Sequence, residues 1–321
     1  MTTIDLNSQW DNLILNDEGG SKVLRISDEC VPDLFLMIDD LDQRGLMISL
    51  PENVKLKAQG FDKNKLKFSY IASKGILVIQ LKDLDYIDLF DDLILSIYSK
   101  ISKLTSLKDA AILMTEVVYK WAVFFENNIK PKLNKEQVQG LFGELFFLNL
   151  LIEESNSSNI NKILHSWRGP FGDPKDFMFD IKCVEVKSKL DSRSFVKISS
   201  EFQLDEEAGK SLELFVVSLL IDVEKGKSIN DLFNEILEKV KNKEGNTYLF
   251  YHALNQIVES TESLSQYNNL RFIVSKTENF DVKEGVFPKL SRSNIDSSIN
   301  NLRYDLEITD LNEFLIHKKI Y

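Results

Sequence analysis

The chain has 321 residues, 43% of them hydrophobic and 28% charged, which suits one large or two modest globular domains and excludes low-complexity and fibrous classes. Its formal net charge of -11 excludes a protein that grips nucleic acid over its whole surface, because such surfaces are basic. A nucleic-acid substrate would need a local patch or a partner's positive charge.

The first twenty residues are acidic and lack the basic start and apolar run of a signal peptide. From about residue 22 to 85 the pattern is short strands: 22–26, 34–39, 45–50, 54–61, 65–72 and 76–81, with turns at "DKNK" and "SKG". Two amphipathic helices follow, "DYIDLFDDLILSIYSKISKL" and "SLKDAAILMTEVVYKWAVFFENN", the second capped by Ser106. A third, "NKEQVQGLFGELFFLNLLIEE", has Asn134 as its cap and Gln137 in capping-box position. Strands then return as "DFMFDI", "CVEVKS", "FVKISS" and "ELFVVSLLID", followed by helices over 228–242 and 247–261 and by strands within 270–276, 278–285 and 302–310. The pattern predicts an α/β protein: a β-rich N-terminal module over 1–105, a helical connector over 106–130, and a mixed central sheet flanked by helices over 131–321. The longest apolar run, Leu214–Ile221, is a buried strand's length and far short of a bilayer. Cys30 and Cys183 stand far apart and form no CxxC pair, so neither a disulfide framework nor a zinc site is expected, and the expected location is the cytoplasm.

The chemistry concentrates in "KDFMFDIKCVEVKS", Lys175–Ser188. Alternation along a strand puts Glu185 and Lys187 on one face. A hairpin turning near Asp180–Lys182 would bring Asp176 beside them. Two carboxylates and an ammonium suit Mg²⁺, with Mn²⁺ as a substitute. Mg²⁺ takes oxygen ligands from one or two carboxylates and leaves room for waters and phosphate. The Val186 carbonyl lies between the two side chains as a further ligand. Lysine can orient or deprotonate a water, or offset charge on phosphorus. In "GLFGELFFL", Gly140, Gly143, Glu144 and Phe147 share a helical stripe; the glycines would let the helix approach a sheet, and Glu144 would be a further metal ligand. Between His165 and Ser200 there are seven basic and five acidic residues, a local surplus sufficient for phosphate. Arg168, Lys175 and Lys189 are the candidate substrate contacts, and Trp167 reads as a packing residue. The three histidines share no metal-ligand spacing, and the chain has no P-loop, G-x-G-x-x-G, G-x-S-x-G or H-E-x-x-H.

A helical glutamate, then Asp176, then Glu185-x-Lys187 on consecutive strands resembles the PD-(D/E)XK nuclease superfamily. The wording "GLFGELFFL…SWRGPFGDPKDFMF…VEVKS" resembles a family of proposed PD-(D/E)XK members linked to restriction-modification and phage-defence genes, most closely over Asn134–Asp205. Here "PKD" stands where the motif's name leads one to expect Pro-Asp. The resemblance implies a restriction-endonuclease-like core. It makes Asp176, Glu185, Lys187 and Glu144 the catalytic set and Gln203 the glutamine some members carry after the next strand. It also implies a Mg²⁺-dependent endodeoxyribonuclease acting on DNA as the cutting subunit of such a system, with methyltransferase or ATPase partners or as a homo-oligomer. The alternatives are a non-catalytic scaffold or DNA-binding subunit of the same fold, and a nuclease acting on RNA or repair intermediates.

Overall fold

The computed structural model describes residues 3–15, 21–51, 54–126, 130–205, 207–283, 285–292, 294–296 and 298–321. Two compact units divide the chain, Met1–Asn128 and Ile129–Tyr321. Among the described residues no helix is long and apolar enough to cross a membrane.

In the first unit, α1 (Thr3–Leu15) precedes an antiparallel sheet of β1 (Lys22–Arg25), β2 (Leu34–Ile38), β3 (Arg44–Ser49), β4 (Phe61–Asp62), β5 (Leu66–Ile71) and β6 (Ile76–Leu81), ordered β1-β2-β3-β6-β5-β4. Helices α2 (Ile87–Ile101) and α3 (Leu107–Trp121) complete it. The stretch read as a connector therefore contributes α3 to this unit, where it packs against α2. Ser106 caps α3 by accepting from the Asp109 N–H at 3.3 Å. Helix α1 was not expected, although Leu6, Trp10 and Leu13 recur at helical spacing and are all buried. The expected strand over 54–61 shrinks to Phe61 and Asp62. Residues 54–60 have no buried face to pack, and the Tyr119 hydroxyl takes the partner's place, bonding both the N–H and the carbonyl of Gln59 at 2.9 and 2.7 Å.

The second unit carries the motif residues. Its elements are α4 (Lys135–Glu154), α5 (Ile160–Ser166), β7 (Phe177–Met178), β8 (Lys182–Leu190), β9 (Phe195–Ile198), β10 (Ser211–Ile221), α6 (Ile229–Asn242), α7 (Thr247–Ile257), β11 (Phe272–Asp281), β12 (Tyr304–Glu307) and β13 (Leu315–Ile320). A five-stranded mixed sheet runs β13-β11-β10-β8-β7; β8 and β10 are parallel, the other pairs antiparallel. The two strands expected at 270–276 and 278–285 are one continuous strand, β11. The pair β9–β12 lies over one face, and Cys183, Leu214, Val216 and Phe280 pack there with Val196, Ile198 and Leu306. Helix α4, started by the expected Asn134–Gln137 capping box, covers the other face. It comes so close that a Cβ on Gly143 would stand 3.0 Å from Ser188 Cβ, whereas Gly140 meets nothing within 4 Å. Only one of the two stripe glycines is therefore needed for the approach.

Candidate active site

Strand β7 is two residues long. Phe177 pairs with Val184 and Met178 with Cys183, and the ladder stops there. The next outward-facing N–H on β8, that of Val186, is bonded by the Asp176 carboxylate: Oδ2 accepts it at 2.8 Å. One turn further along the edge, α4 takes over, with Gln139 Nε2 donating to the Ser188 carbonyl at 2.9 Å. A gap one residue wide is thus left on the edge of β8, and the Val186 carbonyl projects into it beside its N–H. This explains why the expected strand 176–181 is so short: a side chain replaces its backbone in the ladder.

The loop before β7 is clipped to the same point. The N–H groups of Arg168 and Gly169 both donate to the Asp176 carbonyl, at 2.7 and 3.0 Å, and Trp167 forms an isolated bridge with Phe177. Trp167 is buried, and its Nε1–H donates to Glu144 Oε2 at 2.8 Å. A Cβ on Gly169 would stand 2.9 Å from both Asp176 Oδ1 and Glu144 Oε2. The two carboxylates therefore flank one glycine, which explains why the loop has no side chain there.

Glu185 is 1% exposed. Its Oε1 stands 2.8 Å from Lys187 Nζ, outside hydrogen-bond geometry, and its Oε2 has no hydrogen-bond partner among the described residues. Lys187 Nζ also donates to Gln203 Oε1 at 3.0 Å, and that oxygen is fixed in turn by the Ser199 N–H at 2.8 Å. Asp176, Glu185, Lys187, Glu144, Val186 and Gln203 are thus brought together.

Electrostatics follow from this crowding. Burial, then the Asp176 charge, push Glu185 up to about 8 against the pull of Lys187. Glu144 is raised well above the usual carboxylate range by burial and by Asp176, while the Trp167 bond opposes the rise. Burial also raises Asp176, opposed by Lys187 and the Val186 N–H. For Lys187, burial pulls downward, but Glu185 and Asp176 outweigh it and hold the ammonium charged. Strongly displaced acids clustered beside a lysine make this cluster a functional-site candidate.

Other expected contacts are placed differently. Lys175 is buried, and its ammonium bonds the Phe202 carbonyl, so it anchors the Gln203 loop and is not free to meet substrate. Arg168 is half-exposed and paired with Asp173 at 2.5 Å. Lys189 is buried with Nζ on the Arg193 carbonyl at 2.6 Å. His165 and Asp180 are exposed. Trp167 as a hydrogen-bond donor, Gly169 as the point of close approach and Lys175 as a loop anchor were not foreseen. The only trace of the first two in the sequence is the glycine-rich wording "SWRGPFGDP".

Among the described residues, no set of three or more His, Cys, Asp or Glu side chains is placed to hold a metal ion by itself. Any cation here would rest on fewer carboxylates together with backbone oxygen.

The family model described as "Putative PD-(D/E)XK family member, (DUF4420)" matches residues 6–309. The chain belongs to this family. The match takes in the N-terminal unit as well as the second, so the likeness is not confined to the motif region around Asn134–Asp205; of the second sheet, only β13 lies beyond it. Comparisons with curated proteins and with solved structures find no match. Membership of the PD-(D/E)XK family gives the α/β fold its place as a restriction-endonuclease-like core and points to a nuclease.

Proposed function

We propose that this PD-(D/E)XK family member is a divalent-metal-dependent endonuclease that hydrolyses DNA phosphodiester bonds. The observation that carries the reading is the meeting of Asp176, Val186, Glu185 and Lys187 at one gap in the edge of β8. The donor set fits Mg²⁺, or Mn²⁺ in its place: a buried carboxylate oxygen without a donor, a second carboxylate and a backbone carbonyl leave positions for waters and phosphate. Such an ion, when bound, lowers the pKa of water and offsets phosphate charge.

Asp176 and Glu185 would hold the ion with the Val186 carbonyl. Glu144 lies across Gly169 from Asp176 and is itself oriented by Trp167. Lys187, steadied by Gln203, presents a permanently charged ammonium that orients the attacking water and offsets charge growing on the phosphoryl oxygens. By family resemblance the chain would be the cutting subunit of a restriction or phage-defence system, working with methyltransferase or ATPase subunits.

A second reading, a non-catalytic member that scaffolds or binds DNA, is favoured by the Lys187 ammonium lying against Glu185 and by the absence of a three-group metal cluster among the described residues. Incubation with supercoiled plasmid, linear DNA and RNA, with and without Mg²⁺ or Mn²⁺, separates the readings. We expect metal-dependent DNA cleavage that is lost in Glu185→Ala and Lys187→Ala. Cleavage of RNA alone would move the substrate, and cleavage surviving both substitutions would refute the site.

A further inference from the structure

The face of the sheet that carries Glu185 and Lys187 continues beyond them, and its chemistry changes. Paired positions place Glu185 beside Leu214 and Leu214 beside Phe280, an apolar row inside the core. The next row is Lys187, Val216, Glu278 and Lys318; the one after is Lys189, Ser218 and Lys276. These last rows lie at the carboxyl end of the parallel pair β8–β10, where open α/β sheets bind their ligands. A cleft of about 360 Å³ opens there, lined among others by Lys189, Arg193, Lys276, Lys318, Asp191 and Glu278.

The charges in this cleft do not cancel. Four of those six side chains are cationic and two anionic. Glu278 is buried, and it holds Lys276 at 2.8 Å and Lys318 at 3.0 Å, fixing two ammonium groups at the wall. Lys189 is buried as well and donates to the Arg193 carbonyl; burial first and then the Lys276 charge lower its pKa, opposed by Asp191, Glu278 and Glu307. Between those two lysines sits Ser218, fully buried, its hydroxyl without a hydrogen-bond partner among the described residues. Lys276 and Lys318 are partly exposed and share the single Glu278 carboxylate, while Lys189 is buried on a neutral carbonyl, so the wall keeps positive charge that an anion can meet.

We propose that this cleft is a subsite for a backbone phosphate of the same nucleic-acid strand that Lys187 meets, one or two nucleotides from the bond that is cut. The inference rests on the nuclease reading of the Lys187 site. The row that holds Lys276 follows the Lys187 row by two residues on the same face, about 7 Å along the strand, and successive phosphates of one DNA strand advance about 3.4 Å along its axis. Lys318 comes from β13, beyond the region the family model matches.

The test measures binding of a fluorescent single-stranded oligonucleotide to the full chain in EDTA across a salt series. Lys318→Gln, Lys276→Gln and the charge-keeping Lys318→Arg are compared, and melting temperature reports folding. Each glutamine variant is expected to weaken binding by about fivefold to tenfold and to flatten the log–log salt slope by about 0.7, the contribution of one phosphate on a single strand, with Lys318→Arg close to wild type. Unchanged affinity and slope in both glutamine variants would overturn the subsite. If the wild-type chain still cleaves DNA in that case, the nuclease reading stands without it. Stabilisation by inorganic pyrophosphate that depends on Lys276 and Lys318, with no oligonucleotide binding, would also overturn the proposal in favour of a free-phosphate site.

Discussion

Replacing Gly169 by alanine tests the geometry of the acids with the smallest perturbation available. The added methyl would sit 2.9 Å from Asp176 Oδ1 and from Glu144 Oε2, and 3.4 Å from Asp176 Cα. Each oxygen must retreat by about half an ångström to reach ordinary contact. Neither moves freely, because Asp176 is tied to the Val186 N–H and Glu144 to Trp167 Nε1. Both are nevertheless side-chain ends, so the stability cost should lie at the low end of overpacking, about 1 kcal/mol. Function should suffer far more: displacing catalytic groups by a fraction of an ångström to one ångström costs up to about a hundredfold. We therefore expect Gly169→Ala to lower the rate of Mg²⁺-dependent plasmid cleavage tenfold to a hundredfold while the protein melts within a few degrees of wild type. Cleavage at the wild-type rate and the same metal requirement would show that the placement of Asp176 and Glu144 is irrelevant to activity.

Gly140→Ala is the companion control. Nothing stands within 4 Å of its Cβ position, so helix propensity should make the variant more stable by about 0.5–1 kcal/mol in denaturant unfolding, with unchanged cleavage; a destabilised variant would mean that α4 packs differently there. Trp167→Phe removes the donor to Glu144 and leaves a buried carboxylate oxygen short of a partner, which should cost about 1–3 kcal/mol and lower kcat more than it changes KM. A rise in KM with kcat unchanged would assign Trp167 to substrate contact instead. Glu185 is raised in the folded chain to about 8 from an ordinary value of 4.5. Its protonated form is thus favoured by folding. The stabilisation is complete below about pH 4.5 and is lost as pH rises through about 8. Metal-free wild-type protein should melt progressively lower between those limits, and Glu185→Gln should flatten the curve over that window; parallel curves would contradict the burial of that carboxylate.

Much of the motif strand β8 was legible because its pattern is local. Alternation put Glu185 and Lys187 on one face, and the turn after Phe179 brought Asp176 back to their end. The capping residues Ser106 and Asn134 announced α3 and α4 for the same reason. What stayed hidden depends on partners distant in sequence. Lys175 read as a surface cation because nothing nearby in the chain says that the Phe202 carbonyl, 27 residues away, will take its ammonium. The 54–60 stretch alternates like a strand, yet the Tyr119 hydroxyl, 60 residues on, satisfies its backbone at Gln59. The β8–β10–β11–β13 rows that build the lysine cleft combine residues from four separate strands. No sequence window contains them.

The most direct measurement is anomalous diffraction from crystals of this chain grown with Mn²⁺. A peak is expected at the gap in β8, about 2.1 Å from oxygens of Asp176 and Glu185 and from the Val186 carbonyl, with the Lys187 ammonium moved off Glu185. Absence of a peak there under saturating Mn²⁺, with Glu185 still against Lys187, would contradict the proposed metal site.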